Sequence, residues 1–186
     1  EVLREGRSTL VAEVRLTQGG KLAQTCALTF VTERQGSRAV PPPPAPSMRP
    51  PDACFPMPYI EGLVPEFTQH VDFRFAEPHF PYQGGSQARF AGWVRIGDDD
   101  TAASDERTLA LLDAWPCPTL AVLDKPVPAS SVNWTAHLLA PAAGGYHQFV
   151  YETRAAADGV STAVGTLWSS SGQCVAWTEQ TVAVFG

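Results

Sequence analysis

The sequence predicts an α+β protein in which an antiparallel sheet wraps around one central helix. Short stretches that alternate apolar and polar side chains occupy most of the 186 residues and are separated by Gly-containing turns, which is typical of antiparallel strands. One stretch, residues 104–123, has helical features instead, and it lies between two predicted strands and four later ones. A single helix inside an antiparallel run predicts a sheet that buries one face against that helix.

The composition excludes several classes of function. Charged residues make up 17% of the sequence and the formal net charge is −6. Binding to nucleic-acid phosphates needs a basic surface, which so acidic a chain does not supply. No apolar run reaches the roughly 18–20 residues of a membrane span, while a hydrophobic content of 44% is ample for a core. We therefore expect a globular protein without a nucleic-acid or membrane partner.

The four cysteines, Cys26, Cys54, Cys117 and Cys174, are scattered along the chain, and none belongs to a C-x-x-C motif. No His lies at metal-ligand spacing from them. This pattern favours buried free thiols in a reducing compartment. We therefore expect a cytoplasmic protein that uses neither a metal nor another cofactor.

Residues 1–34 have the pattern of a β-hairpin. Apolar and polar residues alternate over 9–17 and again over 22–31, and Gly19-Gly20 lies between the two stretches as a turn. A single hairpin is only marginally stable by itself.

Residues 35–65 are rich in proline, beginning with the run Pro41–Pro44. Proline fixes φ and cannot donate a backbone hydrogen bond, so the composition predicts an extended, polyproline-like linker without regular structure. A recognition ligand for a proline-binding partner is the alternative, but connectors between domains are more commonly proline-rich.

Residues 66–186 have the pattern of one complete domain. Asp98–Asp100 form an acidic loop before the helix, but the spacing does not fit an EF-hand calcium loop and instead predicts a solvated turn. Strands are predicted over 67–76 and 88–96, and after the helix over 131–139, 147–155, 160–168 and 173–185.

The helix has recognisable end signals. Ser104 can cap the first turn by accepting a hydrogen bond from an unpaired backbone N–H. Asp105 and Glu106 follow at the positive end of the helix dipole. Pro116 lacks a backbone donor and disfavours a helical Trp115, so we expect the helix to kink or break there.

One face of this helix carries a carboxylate among apolar side chains. Leu109, Leu112, Asp113 and Pro116 are spaced three and four residues apart, which predicts a shared face. Desolvating a carboxylate is costly. Asp113 therefore either has partners or faces a cavity.

The two ends of the chain resemble each other. Residues 14–25 and 166–178 both combine a strand, a Gly-containing turn and a strand of small residues. Two hairpins can resemble each other without a common origin, but the order of hairpin, linker and full unit favours a repeat. The sequence thus predicts that residues 1–34 are the last hairpin of an earlier copy of the domain at 66–186.

With this repeat, the sequence resembles the type II acyl-CoA thioesterase family, whose members have two hotdog domains in one chain. The resemblance extends over nearly the whole chain and implies a hotdog fold, in which a curved antiparallel sheet wraps one long helix. The matching stretches are Leu3-Arg-Glu-Gly-Arg-Ser with its hairpin, Gly92-Trp-Val-Arg, the helix around Leu112-Asp113, Ser130-Ser-Val-Asn-Trp-Thr and Gly172-Gln-Cys-Val-Ala-Trp-Thr-Glu-Gln.

The resemblance also implies a hydrolytic site. The family uses an Asp on the helix, a Thr or Ser on the following strand and a Gln on the last strand, and these fall on Asp113, Ser131 and Gln180. A desolvated Asp113 would have a raised pKa, which suits a general base near neutral pH. Ser131 and Gln180 would hold the attacking water or the carbonyl oxygen. Without the family match, an ion pair between Asp113 and an arginine such as Arg95 is the alternative.

Substrate contacts are harder to predict from the sequence. Trp93, Trp115 and Asn133 are the candidates. Aromatic residues at strand and helix spacing more commonly belong to a core than to an acyl pocket, so the core interpretation stays open for both tryptophans.

The function implied is hydrolysis of acyl-CoA to a free acid and CoA, a reaction of fatty acid metabolism, by a homodimer or higher oligomer. Asn133-Trp134 stands where relatives usually have Asp-His, and this favours the alternative of a non-catalytic acyl-CoA or lipid-binding hotdog protein. A purely structural partner subunit is a third hypothesis.

Overall fold

The computed structural model describes residues 1–33, 39–97 and 102–185. It divides into two compact units, Glu1–Pro41 and Pro42–Gly186. The acidic loop at 98–100 and the start of the predicted linker lie outside the described residues. The predicted domain boundaries, and the origin of the first unit as the end of an earlier copy, stay predictions.

The first unit is a three-stranded antiparallel sheet in the order β1 (Val2–Glu5), β2 (Thr9–Gln18) and β3 (Lys21–Val31). The predicted hairpin of β2 and β3 is confirmed, with Leu10 opposite Phe30 and the turn at Gly19-Gly20. Both turn glycines have positive φ, 57° and 75°, which is why the two-residue connection needs glycine.

The second unit contains a seven-stranded sheet whose neighbouring strands are all antiparallel. The spatial order is β4-β5-β6-β8-β9-β10-β7, so β4 and β7 are its edges. The strands are β4 (Phe55–Pro56), β5 (Val71–Phe75), β6 (Arg89–Ile96), β7 (Ala129–Leu138), β8 (His147–Ala157), β9 (Val160–Ser169) and β10 (Cys174–Val184). The predicted α+β architecture is confirmed.

The helix, α1, runs over Asp105–Asp113 and is shorter than predicted. Ser104 accepts a hydrogen bond of 3.2 Å from the Arg107 backbone N–H, so the predicted cap is confirmed. After the break expected near Pro116, only a 3₁₀ turn over Pro118–Ala121 follows. The two pieces together correspond to the predicted helical stretch.

The buried face of α1 differs from the predicted one. Thr108, Leu111 and Leu112 are buried, whereas Leu109 and Asp113 are exposed. A buried Thr is tolerated because its hydroxyl accepts from the Ala142 N–H at 2.8 Å and donates to the Ser104 carbonyl at 3.0 Å. The sequence pattern missed this face because it counted Thr108 as polar.

Aromatic rings fill the space between the sheet and α1. Trp115 lies 5.7 Å from Phe149 between ring centroids, and 5.0 Å and 5.5 Å from Phe75 and Phe73. Gly92 makes this packing possible, because a Cβ there would lie 2.0 Å from the Arg74 carbonyl oxygen and 3.0 Å from the Trp115 ring.

The proline-rich segment contains a 3₁₀ turn, Pro51–Ala53, and the short strand β4, whereas the sequence predicted no regular structure there. We call residues 43–56 the proline strap. Phe55 pairs with Phe75 in the sheet, and the Trp168 and Trp93 indoles donate to backbone carbonyls of the strap at 3.0 Å and 2.7 Å. A backbone carbonyl accepts a hydrogen bond whether or not its residue is a proline, so the Pro43 and Arg49 carbonyls let two indole donors hold this extended segment.

Candidate active site

Gln180 and Ser131 meet at the edge of the seven-stranded sheet. Gln180 lies on β10 and is 7% exposed, while Ser131 lies on the neighbouring edge strand β7. The Gln180 Nε2 donates a hydrogen bond of 2.7 Å to the Ser131 Oγ. The structure therefore brings together two of the three residues that the sequence predicts for hydrolysis.

A β-bulge at Val132 makes this contact possible. Asn133 pairs with Thr181, but Ser131 pairs with Val182, so two steps along β7 correspond to one step along β10. Successive side chains on a strand point to opposite faces. The extra residue therefore turns Ser131 onto the face of Val182 and Gln180, as bulges next to active sites are known to do.

The same bulge separates Asn133 from the pair. Asn133 is paired with Thr181, whose side chain lies on the face opposite to Gln180. In an unbulged strand, Ser131 and Asn133 would share one face. Asn133 as a substrate contact stays a prediction, and the structure does not place it beside Gln180.

Tyr151 completes a line of hydrogen bonds that the sequence analysis missed. It lies on β8, is 2% exposed, and its hydroxyl donates to the Gln180 Oε1 at 2.5 Å. Burial raises the pKa of Tyr151, and the nearby Cys117 and Asp113 raise it further, so the phenol stays protonated. No sequence motif marks this residue. Only its inward position on β8, which β9 separates from the Gln180 strand β10, could have indicated it.

Asp113 is the last residue of α1, which packs against β7, β9 and β10. Its charge is close enough to raise the pKa of Tyr151. Burial also raises the pKa of Asp113, even though part of the residue is exposed. Among the described residues Asp113 has no ion-pair partner, and Arg95 instead contacts Asp72 at 3.1 Å.

The two predicted tryptophans lie elsewhere. Trp93 is on the face of β6 opposite to Trp115, under the proline strap, and its indole donates to the Arg49 carbonyl. Trp115 is 4% exposed within the aromatic core, and its Nε1 has no hydrogen-bond partner among the described residues. A substrate role for either stays a prediction, and both have structural contacts that explain their presence.

The described residues around Ser131, Gln180 and Tyr151, and elsewhere, form no group that could hold a metal ion. In the described part of the chain, no group of three or more His, Cys, Asp or Glu side chains could hold a metal ion. All four cysteines are free. None of the helices over residues 1–33, 39–97 and 102–185 is long and apolar enough to cross a membrane.

The arrangement has three chemical properties. It has a carboxylate whose basicity is raised by burial, a serine hydroxyl held by an amide, and a phenol that holds that amide. A base and hydrogen-bond donors at one edge of a sheet can take up a proton and stabilise a developing oxyanion.

Solved structures share this fold. A hotdog-fold protein of unknown function from Alicyclobacillus acidocaldarius matches with a TM-score of 0.86 and 20% identity, over 100% of this chain and 71% of its own. The acyl-CoA thioesterase II of Mycobacterium marinum matches with a TM-score of 0.78 and 17% identity, over 100% of this chain and 72% of its own. At these identities the likeness shows the hotdog fold. No curated protein matches the sequence of this chain.

The family is shown by the sequence itself. Residues 51–184 match the model of the acyl-CoA thioesterase C-terminal domain. The matched range holds α1, the whole seven-stranded sheet, and Asp113, Ser131, Tyr151 and Gln180. The chain therefore belongs to the type II acyl-CoA thioesterase family.

Proposed function

We propose that this chain hydrolyses acyl-CoA thioesters to a free acid and CoA. The observation that carries the proposal is the hydrogen-bonded pair of Gln180 and Ser131 beside a carboxylate without an ion-pair partner among the described residues. These are the residue types that hydrolysis by an activated water requires.

Asp113 is the general base of the proposed reaction. Asp113 takes a proton from a water molecule while the water oxygen attacks the thioester carbonyl carbon. The tetrahedral oxyanion that forms is stabilised by hydrogen bonds from the site. The C–S bond then breaks, and the CoA thiolate leaves with the proton that Asp113 had accepted. The pKa of Asp113, raised by burial, makes this carboxylate a stronger base than an ordinary aspartate.

A second candidate function is supported by Asn133-Trp134. This pair replaces the Asp-His of relatives, and a hotdog protein that has lost part of its site would bind acyl-CoA without hydrolysing it. Such a binder would be stabilised by acyl-CoA against thermal unfolding in proportion to occupancy, but would release no thiol.

We also infer that the unit pairs with another through β7. This strand is an edge of the sheet, is ten residues long and is mostly exposed. An open edge of this kind is a template for pairing. Light scattering coupled to size exclusion would detect the dimer or higher oligomer that this proposal requires.

The test of the function is thiol release from acyl-CoAs of short to long chain. Wild type and Asp113→Ala are compared, with Asp124→Ala as the matched control at an exposed carboxylate. Release that falls by about a hundred-fold or more in Asp113→Ala only would support the hydrolase. Equal release by all three proteins would contradict it, and stabilisation by acyl-CoA without release would favour the binding function.

A further inference from the structure

The amide of Gln180 can lie in two ways, and the choice decides what Ser131 can do. With its Nε2 towards Ser131, Gln180 donates and the serine keeps its own proton for another acceptor. With its Oε1 towards Ser131, the serine proton would be used on Gln180 itself. The described geometry is the first of these, with Nε2 2.7 Å from the Ser131 Oγ.

Tyr151 discriminates between the two orientations because its hydroxyl is buried. In the observed orientation, the Tyr151 O–H has Gln180 Oε1 as its acceptor at 2.5 Å. In the reversed orientation, the amide NH₂ would face the phenol, and the phenol proton would lose that acceptor inside the protein. A buried donor without an acceptor costs far more than an acceptor with a spare lone pair. The phenol stays protonated because burial raises its pKa.

The hydrogen bonds of the site thus all run in one direction, from Tyr151 through Gln180 to Ser131. The Tyr151 hydroxyl donates to Gln180, Gln180 donates to Ser131, and the Ser131 hydroxyl retains one proton. We propose that Tyr151 is a positioning residue that fixes the orientation of the Gln180 amide. The Ser131 hydroxyl is then free to donate a hydrogen bond to a substrate in the active site. This inference rests on the proposed hydrolysis, in which that hydrogen bond stabilises the thioester oxyanion.

The position of Tyr151 in the fold suits this role. It lies on β8 opposite Gly165 of β9, whose missing side chain leaves room for the Phe149 ring, and its hydroxyl reaches Gln180 on β10. Phe149 contacts the Tyr151 ring at 5.4 Å between centroids and leaves it little freedom. A rigid donor on an inner strand therefore controls an amide next to the edge strand.

The first experiment is a double-mutant cycle on thiol release. Tyr151→Phe removes only the hydroxyl and keeps the ring. We expect kcat to fall by roughly ten-fold with KM within about two-fold, because the amide can then reverse. In a Gln180→Ala background, Tyr151→Phe should cause no further loss, since it acts only through the amide. Losses that multiply would overturn the proposal.

A tyrosine elsewhere provides the matched control. The Tyr82 hydroxyl donates to the Val127 carbonyl at 3.4 Å, and burial raises its pKa as well. Tyr82→Phe should leave kcat unchanged. If Tyr151→Phe behaves like Tyr82→Phe, Tyr151 only fills space and the proposal is wrong.

The direction of the bonds is tested by Gln180→Glu. A carboxylate accepts from Tyr151 as well as the amide does, but it cannot donate to Ser131. We therefore expect a loss of kcat as large as in Gln180→Ala. Full activity in Gln180→Glu would show that donation to Ser131 is not needed.

A readout independent of activity separates this inference from the proposed function. The side-chain amide protons of Gln180 are assigned by NMR through their loss in Gln180→Ala. They should shift in Tyr151→Phe and not in Tyr82→Phe. If wild type releases no thiol, the hydrolase proposal fails, while the shift still decides whether Tyr151 positions Gln180; amide signals unmoved in Tyr151→Phe overturn the inference.

Discussion

Ser131 accepts a hydrogen bond from Gln180 across a β-bulge, in which Asn133 and Ser131 pair with the consecutive residues Thr181 and Val182. The extra residue is Val132, which is 68% exposed. Its side chain therefore contributes little burial, and it adds one unpaired residue to the backbone of β7. The proposed catalytic arrangement depends on Ser131 having Val182 as its partner in the sheet.

Deletion of Val132 should leave thiol release nearly intact, whereas Ser131→Ala should lower it. The shortened strand would pair without a bulge, with Asn133 still opposite Thr181 and Ser131 still opposite Val182, so Ser131 would stay on the face of Gln180. We expect the deletion variant to stay within a few-fold of wild type, and Ser131→Ala to lose about ten-fold or more, measured as kcat/KM on the best acyl-CoA. Val132→Ala keeps the bulge and should keep the activity as well; a deletion variant as inactive as Ser131→Ala would contradict the role given to this register.

The sequence predicted the strands and the type of fold because alternation and Gly turns are local signals. It could not predict that Ser131 and Asn133, two residues apart, lie on opposite faces. That depends on pairing between β7 and β10, in which Ser131 and its partner Val182 lie 51 residues apart in the chain. The line from Tyr151 to Ser131 was missed for the same reason, since it joins three strands and no motif contains it.

The helix α1 shows a different limit of prediction from the sequence. Its cap and its break were predicted from Ser104 and Pro116, whose effects are local. The prediction of the buried face was wrong by one position. Thr108 can be buried because its hydroxyl accepts a hydrogen bond from the Ala142 N–H, which lies 34 residues further along the chain. A polar residue is predicted to be exposed as long as its hydrogen-bond partner in the tertiary structure is unknown.

Thr108→Val should therefore destabilise the fold. Valine has nearly the shape of threonine but leaves the buried Ala142 N–H without its acceptor. The expected loss is about 1–3 kcal/mol in the free energy of unfolding, measured by urea denaturation. Leu109→Ala, at the exposed face of α1, is the control and should cost much less. Equal losses would indicate that the face predicted from the sequence, which includes Leu109, is the buried one.

Trp168→Phe should loosen the proline strap. The ring stays apolar, but the Pro43 carbonyl loses the indole donor at 3.0 Å. We expect a loss of about 1 kcal/mol in the free energy of unfolding and faster proteolysis within residues 43–56. Trp177→Phe is the control, because that indole is exposed and stacks on His137 at the surface. Identical protection from proteases in both variants would contradict the role of the strap.

Trp93→Phe separates a structural role from the predicted substrate contact. If Trp93 only holds the Arg49 carbonyl, stability falls by about 1 kcal/mol and KM for acyl-CoA is unchanged. If the sequence-based prediction is right, KM rises by several-fold whatever the stability. Denaturation and steady-state kinetics on the same preparation measure both quantities.

Thiol release should depend on pH through Asp113. The reaction needs the ionised carboxylate, and burial raises the pKa of Asp113 above the ordinary value near 4. The value of kcat/KM should therefore increase with pH through that raised pKa and then level. Asp113→Asn should lose this rising limb together with at least about a hundred-fold of the rate. A rising limb that persists in Asp113→Asn would assign the base to another group.

The same carboxylate should make the folded state less stable as it ionises. Because the folded pKa of Asp113 is raised, the folded state keeps a proton over a pH range in which the unfolded state has released it, and stability falls as pH rises through the folded pKa. Asp113→Asn does not titrate, so its stability relative to wild type should increase between acidic and neutral pH. The gain in Tm should be small, since part of the residue is exposed and solvent screens the charge. Thermal denaturation from about pH 3 to 8 measures it, with Asp124→Asn as the control at an exposed site. A relative stability that decreases with pH would mean that the folded protein favours the ionised form of Asp113, which contradicts its assignment as a desolvated base.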